Sequence, residues 1–283
     1  MKNETNMKKI IIIILLTIAN YLVVAGQASI EQAPEPVKNK NTYVLIVSGI
    51  NKDPKERLAK KKAVTDLKSF ILNNAKIKPA YLNVLVSESS SVGKDLRISS
   101  AENLKSILKN IADRIMPEDR FVFYYVGQAN IAADKLRFNL PGPDITHEQL
   151  AEWINKIKTS SMLLVLDCPG AGIAVKALAG KDRIVIGAST AEQTYSTRFS
   201  EYFIPSLLDS KSDIDVDGRI SILEAFTLAS KQLDDWYFRQ MFLKTETPVL
   251  EDNGDGFPSQ QPWRYKQDNS DGRKASMFFL LKK

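Results

Sequence analysis

From Tyr43 onward, short unbroken apolar runs alternate with longer stretches whose apolar residues recur every three or four positions. Tyr43-Val44-Leu45-Ile46-Val47, Tyr81 to Val86, Phe121 to Val126, Met162 to Leu166 and Arg183-Ile184-Val185-Ile186-Gly187 are the runs. Their length and their β-branched and aromatic content predict strands buried on both faces. Between them, Pro54 to Asn74 predicts an amphipathic helix with Leu58, Ala63, Leu67, Phe70 and Ile71 on one face. Ser99 and Glu102 form a capping-box signature for a helix reaching Ile115, and Thr146 caps one from Glu148 to Lys158. Leu136 to Asn139 reads as a short excursion strand, and Phe199 to Leu208 and Ile222 to Arg239 as helices. After these come a turn-rich segment, Thr247 to Gly256, and a final strand, Ser276 to Leu281. The alternation predicts an α/β domain over residues 42–283: a mainly parallel central sheet, helices on both faces, and sites at the carboxyl ends of the strands.

Residues 1–28 read differently. Lys2, Lys8 and Lys9 precede the apolar stretch Ile10 to Val24, Gly26-Gln27-Ala28 offers small residues for cleavage, and Met7 is an alternative start. This is the pattern of an export signal and predicts a periplasmic, extracytoplasmic or secreted protein. The alternative is an uncleaved anchor, the one route to a membrane in this reading, although a spanning helix wants about 20 apolar residues. With no cysteine near the cleavage region, a lipid anchor is not expected. Residues 29–41, rich in Pro, Gln, Lys and Glu, read as a solvated linker.

Composition narrows the function classes. The chain has 283 residues, 44% of them hydrophobic, enough for one large core. Its formal charge of +6 falls to about +4 without the signal, which carries three lysines and one glutamate. That mild excess gives no reason to expect a nucleic-acid partner, and Lys60 to Lys62, the one dense basic cluster, reads as a solvated helix face. A single cysteine excludes an internal disulfide framework and a multi-cysteine metal site. No phosphate-binding glycine loop with its lysine, dinucleotide fingerprint or zinc cluster occurs.

Two strand ends carry the candidate chemistry. Phe121 to Val126 runs into Gly127-Gln128-Ala129, and Met162 to Leu166 into Asp167-Cys168-Pro169-Gly170-Ala171-Gly172. With Gly187-Ala188-Ser189-Thr190 and Phe199-Ser200-Glu201-Tyr202-Phe203, this layout resembles the caspase and legumain type of cysteine peptidase (clan CD, C13/C14-like) from about Tyr43 to Arg239. One strand there ends in Gly-His-Gly and the next in Asp-x-Cys-x-x-Gly. The resemblance implies a caspase/legumain-like three-layer sandwich, with Gln128 where the family has its histidine and Pro169 where it has its cysteine. Gln128 can hydrogen-bond but cannot serve as a general base. Pro169 supplies neither a nucleophile nor a backbone N–H for an oxyanion.

Cys168 lies one residue early, which in an extended strand end turns it to the opposite face, and Asp167 raises its thiol pKa. His147, the one histidine, reads as a solvated group in the first turn of a helix. Two principal readings stay open. The chain is an inactive pseudopeptidase that binds a protein or peptide, or it is an active cysteine peptidase or transpeptidase using Cys168 with a non-standard base such as His147. A third reading, a structural module of a surface assembly, differs from the first in where partners attach.

The sharpest motif is Asp213 to Glu224, an EF-hand-like loop. Carboxylates fall at positions 1, 3, 5 and 12 (Asp213, Asp215, Asp217, Glu224), glycine at 6 (Gly218), an aliphatic residue at 8 (Ile220) and serine at 9 (Ser221). Arg219, at position 7, would ligate through its carbonyl. This loop, inserted in the domain, predicts bound Ca2+ in a structural role, clamping the following helix. The alternative is an acidic loop that caps that helix. Glu251 to Gly256 is a second acidic turn without the full spacing and reads as a plain turn.

Overall fold

The computed structural model describes residues 41–88, 96–264 and 270–281. The predicted signal, 1–28, and all of the predicted linker except Asn41 lie outside the described residues. The described residues belong to a compact unit spanning Lys38–Lys283.

All five apolar runs are strands of one seven-stranded sheet. They are β1 (Thr42–Ser48), β2 (Leu82–Val86), β4 (Arg120–Val126), β8 (Met162–Asp167) and β9 (Arg183–Gly187), joined by β3 (Arg97–Ile98) and β10 (Val249–Glu251). The order is β10-β9-β8-β4-β1-β2-β3, parallel throughout except for β10 against β9. Each parallel pairing needs a crossover, and the crossovers put helices on both faces.

Period-two alternation sorts the strands between two cores. Leu45, Phe123, Tyr125, Leu164 and Leu166 face α2 (Ala101–Arg114), α3 (His147–Ile154) and α4 (Gly172–Leu178). Ile46, Val122, Tyr124, Leu163 and Val165 face α1 (Pro54–Ser69), α5 (Phe199–Ser206), α6 (Ile222–Gln240) and the short α7 (Arg273–Ser276). The molecule is thus a three-layer α/β sandwich.

A second, antiparallel sheet of three strands holds β5 (Ala129–Ala132), β6 (Lys135–Phe138) and β7 (Ile145–Thr146). The predicted excursion strand is the middle of this sheet.

Several expectations shift. Ser100, not Ser99, caps α2, accepting from Asn103 N. Ser99 is buried and its hydroxyl donates to the Ser48 carbonyl at 2.6 Å, tying β3 to the end of β1. α3 stops at Ile154, short of Lys158. The last predicted strand, Ser276 to Leu281, instead starts on the final residue of α7 and makes a single bridge, Phe279 to Ser221, and the antiparallel edge strand forms within the segment read as turns. On α1, Leu58 is 70% exposed while Lys60 is buried, the reverse of the expectation.

Candidate functional site

The two singled-out strand ends are neighbours. Val126 pairs with Asp167 in the β4–β8 register, and Gly127 N donates to the Asp167 carbonyl at 3.1 Å. Gly127 also crosses the end of β1 so closely that a Cβ on it would lie 2.6 Å from the Gly49 Cα, which requires glycine here.

Gln128 is half-buried and held on every side. Its side-chain amide donates to Glu56 Oε2 and Ser196 Oγ, both at 2.7 Å, and its carbonyl accepts from the Tyr125 hydroxyl at 2.6 Å. Pro169 is buried in the turn after β8. The neighbouring N–H groups are engaged: Gly170 N donates to the Gln193 carbonyl at 2.8 Å and Ala171 N to Ser189 Oγ at 3.1 Å.

Asp167 ends β8 with its side chain on the α1–α5 side, wholly buried. Lys60 Nζ donates to its Oδ2 at 3.1 Å and to the Thr197 carbonyl at 2.6 Å. Thr197 Oγ1 and Ser200 Oγ also donate to the carboxylate, and Ser200 N does so at 3.2 Å. Burial opposes the charge on Asp167, but Lys60, Ser200 and Thr197 outweigh it and hold the carboxyl below its ordinary range. Lys60 to Lys62 is therefore not wholly a solvated face. Lys61 and Lys62 are exposed, while Lys60 lies three positions before Ala63 and seven before Leu67, on the apolar stripe, and reaches inward to the buried carboxylate.

A second buried carboxylate adjoins this group. Glu246 accepts from Arg198 N at 3.0 and 2.9 Å and from the Tyr237 hydroxyl at 3.1 Å. Burial, with Asp167 adding to it, pushes its carboxyl up to about 7. The guanidinium of Arg198 stacks over Trp236 at 3.7 Å.

Cys168 points the other way. It has no exposed surface and packs with Leu164, Leu166 and Ala171 in the α2–α4 core. Burial pushes its thiol far up, and Asp167 adds to the shift. His147 opens α3 and, unlike the expected solvated residue, is 8% exposed, because the strand pair β6–β7 leads directly into that helix. Among the described residues its Nδ1 has no hydrogen-bond partner. Among the described residues no hydrogen bond joins Cys168 Sγ to His147 or Gln128.

The acidic loop folds around its own backbone. Asp213 accepts from Asp217 N and Gly218 N, both at 3.1 Å, and Glu224 Oε1 from Ile214 N at 2.9 Å. Gly218 has φ +78°, the left-handed turn that the sixth position demands. One carboxylate oxygen each of Asp213, Asp215 and Glu224 lie within 4.8 Å of one another, a spacing that oxygens each 2.3–2.6 Å from one cation can adopt. Asp217 stands outside this group and accepts from Arg219 N at 2.7 Å. Ser221 caps α6 and its hydroxyl donates to Glu224 Oε2 at 2.8 Å, while the Arg219 guanidinium stacks on Phe279.

The second acidic turn is more than a plain turn. Glu251 and Asp252 are buried, and Asp252 accepts from Gly272 N at 2.8 Å and Ala275 N at 2.7 Å, pinning α7 to β10. Sequence reasoning missed Lys60, Thr197, Ser200 and Glu246. A lysine on the apolar stripe of a helix, opposite a buried strand that ends in aspartate, is the signal that could have found the first. No protein-family model matches the chain, and no curated protein matches it.

Proposed function

We propose that this chain is an exported, caspase/legumain-like domain without peptidase chemistry, which works by binding a protein or peptide at the carboxyl ends of β4 and β8. The observation that carries the reading is the state of the β8 end. Asp167 is locked by Lys60, Thr197 and Ser200, Cys168 is wholly buried with its thiol pushed up, and Pro169 has no N–H to offer. A nucleophile needs an accessible thiolate beside a base, and an oxyanion needs free N–H donors. Neither requirement is met by the contacts made there. The order of the strands and the adjacency of the two ends support the caspase-like assignment.

Calcium belongs to the same reading. Asp213, Asp215 and Glu224 would hold it, with Asp217, the Arg219 carbonyl and Ser221 completing an EF-hand-like set. The ion supplies the positive charge that three converging carboxylates lack. Because Glu224 lies in the first turn of α6, that charge would clamp the helix onto the domain.

The test uses an immobilised mixed peptide library. The mature protein is expected to retain peptides uncleaved, and Ser196→Trp, which crowds the Gln128 side chain, to lose that retention. Equal retention by the variant contradicts binding at this edge.

A further inference from the structure

Building on the calcium reading above, we infer that the C-terminal segment 278–280 braces the acidic loop Asp213 to Glu224, with Phe279 as a positioning residue for the ion. Calcium binding and the attachment of this segment then support each other. The segment follows α7 and lies beside the start of α6.

It meets the loop where the last ligands would come from. Ser221, the ninth loop position, forms an antiparallel bridge with Phe279, and Ile222 N donates to the Phe278 carbonyl at 2.9 Å. The Arg219 guanidinium, from the seventh position, lies over the Phe279 ring with its carbon 3.3 Å from the centroid. In an EF-hand-like loop these two positions each offer the ion an oxygen, Arg219 its carbonyl and Ser221 its hydroxyl, directly or through water. Each therefore has one group for calcium and another for Phe279.

Behind Phe279 the segment is fastened to the domain. Arg120, at the start of β4, donates from Nη1 to the Phe279 carbonyl at 2.6 Å and lies over the Phe278 ring at 4.8 Å. Phe278 and Leu280 are buried in the core on the α1–α5 side. Residues 214–218 are exposed, so the loop rests on the domain through its two ends, and the end from Arg219 to Ser221 rests on Phe279 and on the cap of α6. The carboxylates of Asp213, Asp215 and Glu224 repel one another as they converge, and a loop already braced loses less conformational freedom when an ion draws them together. Whatever factor Phe279 adds to ion affinity, the ion adds to the attachment of the segment.

Calorimetric calcium titration of the mature protein, with melting in chelator and hydrogen exchange, reads both directions. Phe279→Ala is expected to bind calcium about tenfold more weakly, and calcium to slow amide exchange in 278–280 about tenfold in the unaltered protein. Arg219→Ala removes the ring contact and keeps the carbonyl; it is expected to lose about threefold in affinity, and it carries the test if Phe279→Ala does not fold. Met277→Ala, at an adjoining position that is 53% exposed, is expected to bind calcium as the unaltered protein does. A segment that only packs would give Phe279→Ala a lower melting temperature in chelator with an unchanged calcium affinity. That result, or exchange in 278–280 indifferent to calcium, would overturn the brace and leave the calcium reading standing. No binding of calcium by the unaltered protein would overturn both.

Discussion

Lys60 and Asp167, 107 residues apart, meet at 3.1 Å with side chains that are 7% and 0% exposed. The pair ties α1 to the end of β8, and through Thr197 and Ser200 it also fixes the start of α5. A charged pair so placed cannot lose one member cheaply. Lys60→Met leaves a buried carboxylate without its cation and is expected to cost about 3–5 kcal/mol. Lys60→Met/Asp167→Asn should recover part of that loss. Urea unfolding of the three proteins measures both, and a single-variant loss below about 1 kcal/mol would show that the pair is not structural.

Glu246 sets a pH dependence of defined sign. Its carboxyl is raised from 4.5 to about 7 by burial, so the folded state holds its proton more tightly than the unfolded chain does. Its contribution is fully present below about pH 4.5 and is lost as pH rises through 7, a change on the order of 3 kcal/mol. Asp167 acts in the opposite sense. Its lowered carboxyl adds stability above 3.8 that is lost in more acid solution. Stability should therefore fall between about pH 5 and 8, and Glu246→Gln should flatten that slope. A variant with an unchanged slope would contradict the assignment of the slope to this carboxyl.

The loop from Asp213 to Glu224 predicts a metal response. Chelation should lower the melting temperature of the mature protein by about 5 °C relative to saturating calcium. Asp213→Ala/Glu224→Ala should melt at the same temperature with and without the ion. Equal melting of the unaltered protein in calcium and in chelator would sink the calcium reading.

Cys168 should be silent in the native protein. Its sulfur is enclosed by the α2–α4 core, so a disulfide reagent at pH 8 is expected to react only as the chain unfolds, about a hundredfold faster in denaturant than in buffer. Fast native labelling would mean that the β8 end opens.

The central sheet was legible because buried strands must be apolar on both faces, as in Val44 to Val47 and Met162 to Leu166. Residues whose pairing depends on distant partners were less so. Val249-Leu250-Glu251 is too short to stand out from the turns beside it, and becomes a strand only because β9 offers a free edge. Ser99, with Glu102 three residues on, is the better cap in sequence, but its hydroxyl is taken by the carbonyl of Ser48 and Ser100 caps the helix instead. The face of Cys168 followed from alternation, whereas Gln128 and Pro169 were singled out by the resemblance of their strand ends. Lys60, beside Lys61 and Lys62, reads as surface unless its place on the apolar stripe of α1 is weighed together with the aspartate that ends β8.

The central claim is that this sandwich does no peptidase chemistry, and peptide turnover tests it most directly. The mature protein, with calcium present, is incubated with a mixed peptide library and the products are read by mass spectrometry beside Cys168→Ala. No new termini are expected in either sample. Cleavage by the unaltered protein that disappears in Cys168→Ala would contradict the account.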